Sequence, residues 1–309
     1  MAKPRNDLLD RLVYLTLRIF TCYLHCRPIN TNLETARRIG SLMYWLDRRH
    51  RDRAIDNVRR AFPELSQKQA ETLARKSMQQ LVMLSVELMF TTRLVRIDTW
   101  RRYVDIDNFS QTMALLMERH QGLIMLTGHY GNWEILGYVL ATLGFETSTV
   151  TRPLDNPYVS EYVLGVRARQ GQRLVYKKGA TSGLTDALDD HGVVCMVADQ
   201  DAGSKGIFVD FFGRKASAYK SIGLLAMQYN VPVVVGYARR MGEQFHFRVA
   251  TQDIIWPREW KEQPDPLRYI TQRYTTAIED FVREDPTQYL WTHRRWKSRP
   301  KGEAPEPAV

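Results

Sequence analysis

The rhythm of apolar residues along the chain changes once, near residue 122. Before that point apolar positions recur at intervals of three and four, the period of a helix with one buried face. Leu12–Cys26, LVYLTLRIFTCYLHC, is an apolar stretch interrupted by Arg18 and His25. Leu33–Phe62 keeps helical periodicity until Pro63, which has no N–H to continue the ladder. Ser66 opens S-Q-K-Q, the pattern of a capping box for a helix over Gln67–Thr91. From Gly122 onward, short apolar runs bounded by turn residues take over: Leu123–Thr127, Thr147–Thr151, Val193–Ala198, Val231–Ala238 and Phe245–Ala250. Helical stretches alternate with them at Trp133–Thr142 and Tyr219–Tyr229, and Arg268–Arg283 reads as a late helix. This alternation predicts an α/β fold, a mixed and mostly parallel sheet covered by helices on both faces.

The pattern divides the chain into a membrane-associated helix (1–30), an α/β domain (31–298) and a proline-rich tail expected to be disordered (299–309). The Leu12–Cys26 stretch is short for a membrane span, which needs about twenty apolar residues. Three placements stay open: a span, a helix lying in the interface with its arginines at headgroups, or an ordinary helix docked on the core. No small-residue cleavage site follows it, so it does not read as a removed signal peptide. Were it to insert, the early charges Lys3, Arg5 and Arg11 would keep the N-terminus cytoplasmic.

Composition narrows the partners without choosing one. The 309 residues carry a net charge of +10, which favours nucleic acid, phosphorylated lipid or an acidic carrier protein. Cys22, Cys26 and Cys195 make no disulfide framework, and the helical spacing of the first two suggests packing. Basic clusters lie at Arg48, Arg49, Arg51 and Arg53, and at Arg294, Arg295 and Lys297. Trp45, Trp291 and Trp296 stand beside such clusters, but no helix-turn-helix, zinc or RNA-recognition motif accompanies them, so nucleic acid is not expected.

The sharpest chemical signal is GHYGNWEIL, Gly128–Leu136, directly after the run LIMLT. Functional groups of open α/β sheets gather where a strand ends and the next helix begins. His129 and Glu134 are five residues apart, so on one continuous helix they would diverge by about 140°. They can meet only if His129 sits on the turn and the helix begins near Asn132, a turn that Gly128 and Gly131 permit. Glu134 would then fix the imidazole tautomer, leaving the other nitrogen to take a proton from an alcohol. The helix N-terminus offers N–H groups to an oxyanion forming on a thioester carbonyl. There is no Gly-x-Ser-x-Gly elbow, so direct attack by the acceptor hydroxyl is the simpler scheme.

Five segments in order carry a resemblance. They are RAIDNVRRAFP, with Arg53, Asn57 and Ala61-Phe62-Pro63; the His129-x4-Glu134 pair; VTRPLDNP and VRARQG, with Arg152 and Arg167; VADQDAGSKGIFVDFFG, with Asp199-Gln200-Asp201; and YLWTHRRWK, Tyr289–Lys297. Together they resemble the lipid A secondary acyltransferases, the lauroyl and myristoyl transferases of lipopolysaccharide assembly. The resemblance implies a glycerolipid-acyltransferase-like fold, His129 as general base and Glu134 as its orienting acid. It further implies substrate contacts from Arg152, Arg167, Asp199, Gln200 and Asp201, and neither metal nor cofactor. The implied donor is an acyl carrier protein thioester and the implied acceptor a lipid A precursor, at the cytoplasmic side of the inner membrane. Acceptors such as phosphatidylinositol mannosides, and a catalytically dead membrane scaffold, are the competing readings.

Overall fold

In a computed structural model, residues 6–118, 120–151, 154–168, 172–176 and 180–303 are described. The helical first third comprises α1 (Asp7–His25), α2 (Ile29–Leu46), α3 (Arg48–Ala61) and α4 (Gln67–Leu94). The long periodic stretch before Pro63 is two helices rather than one. Asp47 ends α2 and caps α3, its carboxylate accepting from the His50 backbone N–H at 3.2 Å. The Ser66–Gln69 capping box is present and starts α4.

The remainder alternates: β1 (Val104–Asp107), α5 (Ser110–Glu118), β2 (Leu123–Thr127), α6 (Trp133–Thr142), β3 (Thr147–Thr151), α7 (Pro157–Ala168), β4 (Gln172–Tyr176), α8 (Ala180–Asp189) and β5 (Val193–Val197). The hairpin β6 (Ile207–Phe211) and β7 (Arg214–Ala218) follows, then α9 (Lys220–Tyr229), β8 (Val233–Arg240), β9 (Phe247–Ile255), α10 (Pro257–Lys261) and α11 (Pro266–Glu284). The main sheet runs β1-β9-β8-β2-β5-β3-β4, with every pair parallel except β8–β9. The expected α/β architecture is therefore observed. Each of the five apolar runs became a strand, while β1, β4 and the small hairpin carried no comparable run.

The central strand β2 is buried on both sides, and its residues divide between two cores. Ile124 and Leu126 face a core shared with α3, α9 and α11, whereas Leu123 and Met125 face one shared with α6 and the C-terminal half of α4. Helix α4 serves both, through Ala70–Met78 on one side and Met83–Phe90 on the other.

Helix α1 lies lightly on this body. Leu8, Leu9, Leu12, Val13, Leu15, Ile19, Phe20 and Tyr23 are all exposed. Its arginines turn the other way, toward α7: Arg11 Nε donates to the Tyr158 hydroxyl at 3.0 Å, and the Arg18 guanidinium lies over the Tyr162 ring. No described helix is long and apolar enough to cross a membrane. Cys22 and Cys26 are exposed, so they do not serve packing in this chain. At the other end, Arg299 donates to the Lys215 carbonyl and pairs with Glu303, while residues 304–309 of the expected tail lie outside the described residues.

Candidate active site

The site forms where β2 and β5 end side by side. Thr127 and Val197 are register partners on these parallel strands, and His129 and Asp199 each follow two residues later. The two side chains therefore emerge at the same sheet edge, at the carboxyl ends of adjacent strands. Asp199 takes two hydrogen bonds from one residue. Its Oδ1 lies 2.6 Å from His129 Nδ1, and its Oδ2 accepts the His129 backbone N–H at 2.9 Å. The aspartate side chain is 1% exposed. Burial alone would raise its pKa, but the charges of His129 and His293 and the hydrogen bonds from His129 hold it far below the usual carboxylate range. An ionised carboxylate only accepts, so Nδ1 donates to it, and in the neutral form of the ring the lone pair is then the one on Nε2. Gln200 Nε2 stands 3.4 Å from that Nε2.

The turn holding His129 is fixed from three directions. Gly131 adopts φ +54°, and a Cβ there would meet the Ala238 carbonyl oxygen at 2.1 Å, so no other residue fits. Asn132 then caps α6, accepting the Ile135 N–H at 3.0 Å, as the spacing of the motif required. The Asn132 amide donates to Glu87 at 2.9 Å, and Glu87 forms a fully buried ion pair with Arg240. The third tie is the segment after α11. Gln288 accepts the Gly131 N–H at 3.0 Å, and the Leu290 N–H donates to the His129 carbonyl at 3.0 Å.

That same segment delivers a second histidine. The ring of His293 lies 4.3 Å from that of His129, tilted by 60°, and Trp133 stands edge-on to His129 at 4.9 Å. Burial, and then the charge of His129, push the His293 pKa down to about 4. The segment is clamped by α3: Asn57 Nδ2 donates to the carbonyls of Trp291 (2.8 Å) and His293 (3.0 Å), and Arg53 Nη1 to that of Thr292 (3.1 Å). Asn57 is thus a polar helix contact that shapes the site from behind.

Set against the sequence reading, the carboxylate on the imidazole is Asp199, not Glu134. Glu134 lies in the first turn of α6, half-buried and engaged in an interaction of its own. Both Asp199 oxygens accept from His129. Asp201 binds Ser298, accepting the hydroxyl at 2.9 Å, and of this trio Gln200 alone approaches the imidazole nitrogen that faces outward. Arg152 lies outside the described residues, and Arg167 belongs to α7 with its side chain outside them. Arg295 is buried, donating to the carbonyls of Ser217 and Gln200, so only its neighbours Arg294 and Lys297 are exposed. His293 went unnoticed in the sequence, since nothing in YLWTHRRWK signals that it returns to a strand end more than 160 residues earlier.

A buried aspartate hydrogen-bonded to a histidine at the strand ends of an α/β sheet is the arrangement of a candidate enzyme site. A sequence profile of the bacterial lipid A biosynthesis acyltransferases matches residues 3–298, and the chain belongs to that family. It is an acyltransferase. Among its relatives, the lipid A biosynthesis lauroyltransferase of Escherichia coli (strain K12) is 24% identical over 250 residues, 80% of this chain and 78% of that one. The palmitoleoyltransferase of the same strain is 24% identical over 271 residues, 86% and 85% of the two chains. A lipid A biosynthesis acyltransferase of Haemophilus influenzae is 24% identical over 254 residues, 81% and 78%.

Proposed function

We propose that the protein moves a fatty acyl chain from an acyl carrier protein thioester to a hydroxyl of a lipid A precursor, working at a membrane surface. The observation that carries the chemistry is the His129–Asp199 pair, which in the neutral ring puts the lone pair on the outward Nε2. In this reading the acceptor hydroxyl displaces the Gln200 amide from Nε2 and gives up its proton as its oxygen attacks the thioester carbonyl. Asp199 stabilises the imidazolium that results, and the first turn of α6 faces the oxyanion. Collapse breaks the carbon–sulfur bond, and the proton passes from His129 to the departing thiolate. Glu134, one turn along, orients the acceptor, and Arg152 and Arg167 bind its phosphate.

Two surface features support the substrates. The exposed apolar stripe of α1, with its arginines turned onto α7, suits a helix lying in the interface. Arg49 and Arg294 each stand close enough to repel Arg53, and Arg53 also acts on His293, so positive charge gathers beside the site where an acidic carrier would approach. The test is mass spectrometry of lipid A from cells with and without the gene. Loss of one acyl chain in the mutant, restored by wild type and not by His129→Ala, is expected; an unchanged acyl pattern would remove lipid A as the acceptor.

A further inference from the structure

Helix α2 carries an apolar face that stays exposed. One side of the helix, with Leu33, Ala36, Gly40 and Tyr44, is buried among residues of α4. The seat is close, since a Cβ on Gly40 would lie 2.5 Å from the Gln79 Cα. Ile39, Leu42, Met43 and Leu46 belong to a different side. At about 100° per residue they fall within an arc of about the same width, and they run from 38% exposed at Met43 to 73% at Leu46. Trp45, also exposed, stands at the edge of this stripe on the side of Arg38. We propose that this face of α2 docks on an anionic phospholipid bilayer, as a second membrane contact beside α1. The proposal rests on the reading of the protein as working at a membrane surface, and goes beyond it by giving lipid contact to a helix packed on the folded body.

An apolar stripe alone would suit several partners, and the charge around it selects lipid. Residues 34–49 hold Arg37, Arg38, Arg48 and Arg49 against Glu34 and Asp47. Asp47 is turned onto His50, whose Nδ1 lies 2.6 Å from its carboxylate, whereas Arg38, Arg48 and Arg49 are exposed. Large apolar side chains, a tryptophan at their rim and arginines beyond suit a helix lying in the interface. The stripe meets the acyl boundary, the indole sits among headgroups and the cations meet phosphates. The corner between α1 and α2 is short and braced, the Asn32 amide donating to the Leu24 carbonyl at 2.8 Å. Helix α1 lies lightly on the body and by itself would only tether it. Contact through α2, which is seated on α4, would also fix how the α/β domain faces the bilayer.

Helix α1 contains no tryptophan, so Trp45 distinguishes the two helices. Full-length protein is mixed with vesicles of phosphatidylcholine and phosphatidylglycerol whose acyl chains are brominated, and fluorescence quenching is compared between wild type and Trp45→Phe. Quenching in the wild type that Trp45→Phe removes is expected. Leu42→Ser with Leu46→Ser should weaken vesicle binding by about tenfold or more, with unchanged thermal melting because both side chains are exposed. Arg48→Gln should weaken it by about fivefold, and only where phosphatidylglycerol is present. Vesicle binding with equal quenching in wild type and Trp45→Phe would overturn the proposal and leave α1 as the contact. No vesicle binding by the wild type would overturn the membrane reading of both helices. A wild-type dimer that Leu42→Ser with Leu46→Ser converts to monomer, with vesicle binding unchanged, would give the face to a second copy of the chain instead.

Discussion

Replacing Asp199 with Asn keeps the shape of the side chain and sets two of its hydrogen bonds against each other. In the wild type both carboxylate oxygens accept, one from the His129 ring and one from its backbone N–H. An amide has one oxygen. If the NH₂ faces the ring, Nδ1 must accept, the proton moves to Nε2, and the base is lost. If it faces the backbone, a buried N–H is orphaned at a cost of about 1–3 kcal/mol and the imidazolium loses its counter-charge. The first orientation avoids the orphan, so the wrong tautomer should dominate. The same substitution in a Ser-His-Asp triad lowers kcat by about 10⁴. Here Asp199→Asn should lower kcat by about 10³–10⁴, equivalent to roughly 4–5.5 kcal/mol of barrier. Donor and acceptor KM should change by much less, because both Asp199 oxygens are engaged by His129. The assay is steady-state transfer from acyl carrier protein thioester, with thermal melting to confirm the fold. A variant within tenfold of wild-type kcat, properly folded, would refute the pairing as the source of base strength.

His129→Ala should reduce kcat by about 10²–10⁴, and Glu134→Gln by less, since in this arrangement Glu134 acts on the acceptor and its loss should appear chiefly in acceptor KM. Glu87→Ala leaves the buried Arg240 unpaired and removes the anchor of Asn132, so urea unfolding should show a loss of about 3–5 kcal/mol; a loss under 1 kcal/mol would mean the pair is not braced as described. Between pH 6.5 and 4 the unfolded chain protonates His293 more readily than the native one, so acidification across that window should remove up to about 3 kcal/mol of stability, and His293→Gln should flatten that slope. Arg294→Gln with Lys297→Gln should raise the donor KM and flatten its salt dependence with little change in kcat, and an unchanged salt slope would place the donor elsewhere.

The sheet was legible because its central strands are buried on both faces and must be apolar throughout, as Leu123–Thr127 and Val193–Val197 are. The His129 turn was legible for a local reason: Gly131 and Asn132 are a turn residue and a cap, and both act within five residues of the histidine. Its carboxylate was not. Five-residue spacing made Glu134 the visible partner, whereas Asp199 is supplied by strand pairing across 70 residues, and only the register of β2 on β5 brings it in. The break at Asp47 was missed because helical periodicity continues through it, with one helix ending and the next beginning on the same residue. His293 and the clamp from Asn57 depend on packing between distant segments, which periodicity does not encode.

The segment from Gln288 to His293 gives the site an order of assembly. It supplies an acceptor for Gly131, a donor for His129 and the second imidazole, and Asn57 and Ser77 hold its carbonyls. Every one of these contacts closes a loop of more than 150 residues, which makes them late events in folding. A ribosome releases the strands that carry His129 and Asp199 long before it releases this segment. Until then the histidine turn lacks the contacts from Gln288 and Leu290. The histidine and its backing are thus made at different times, and the turn is braced only once the later segment has joined it.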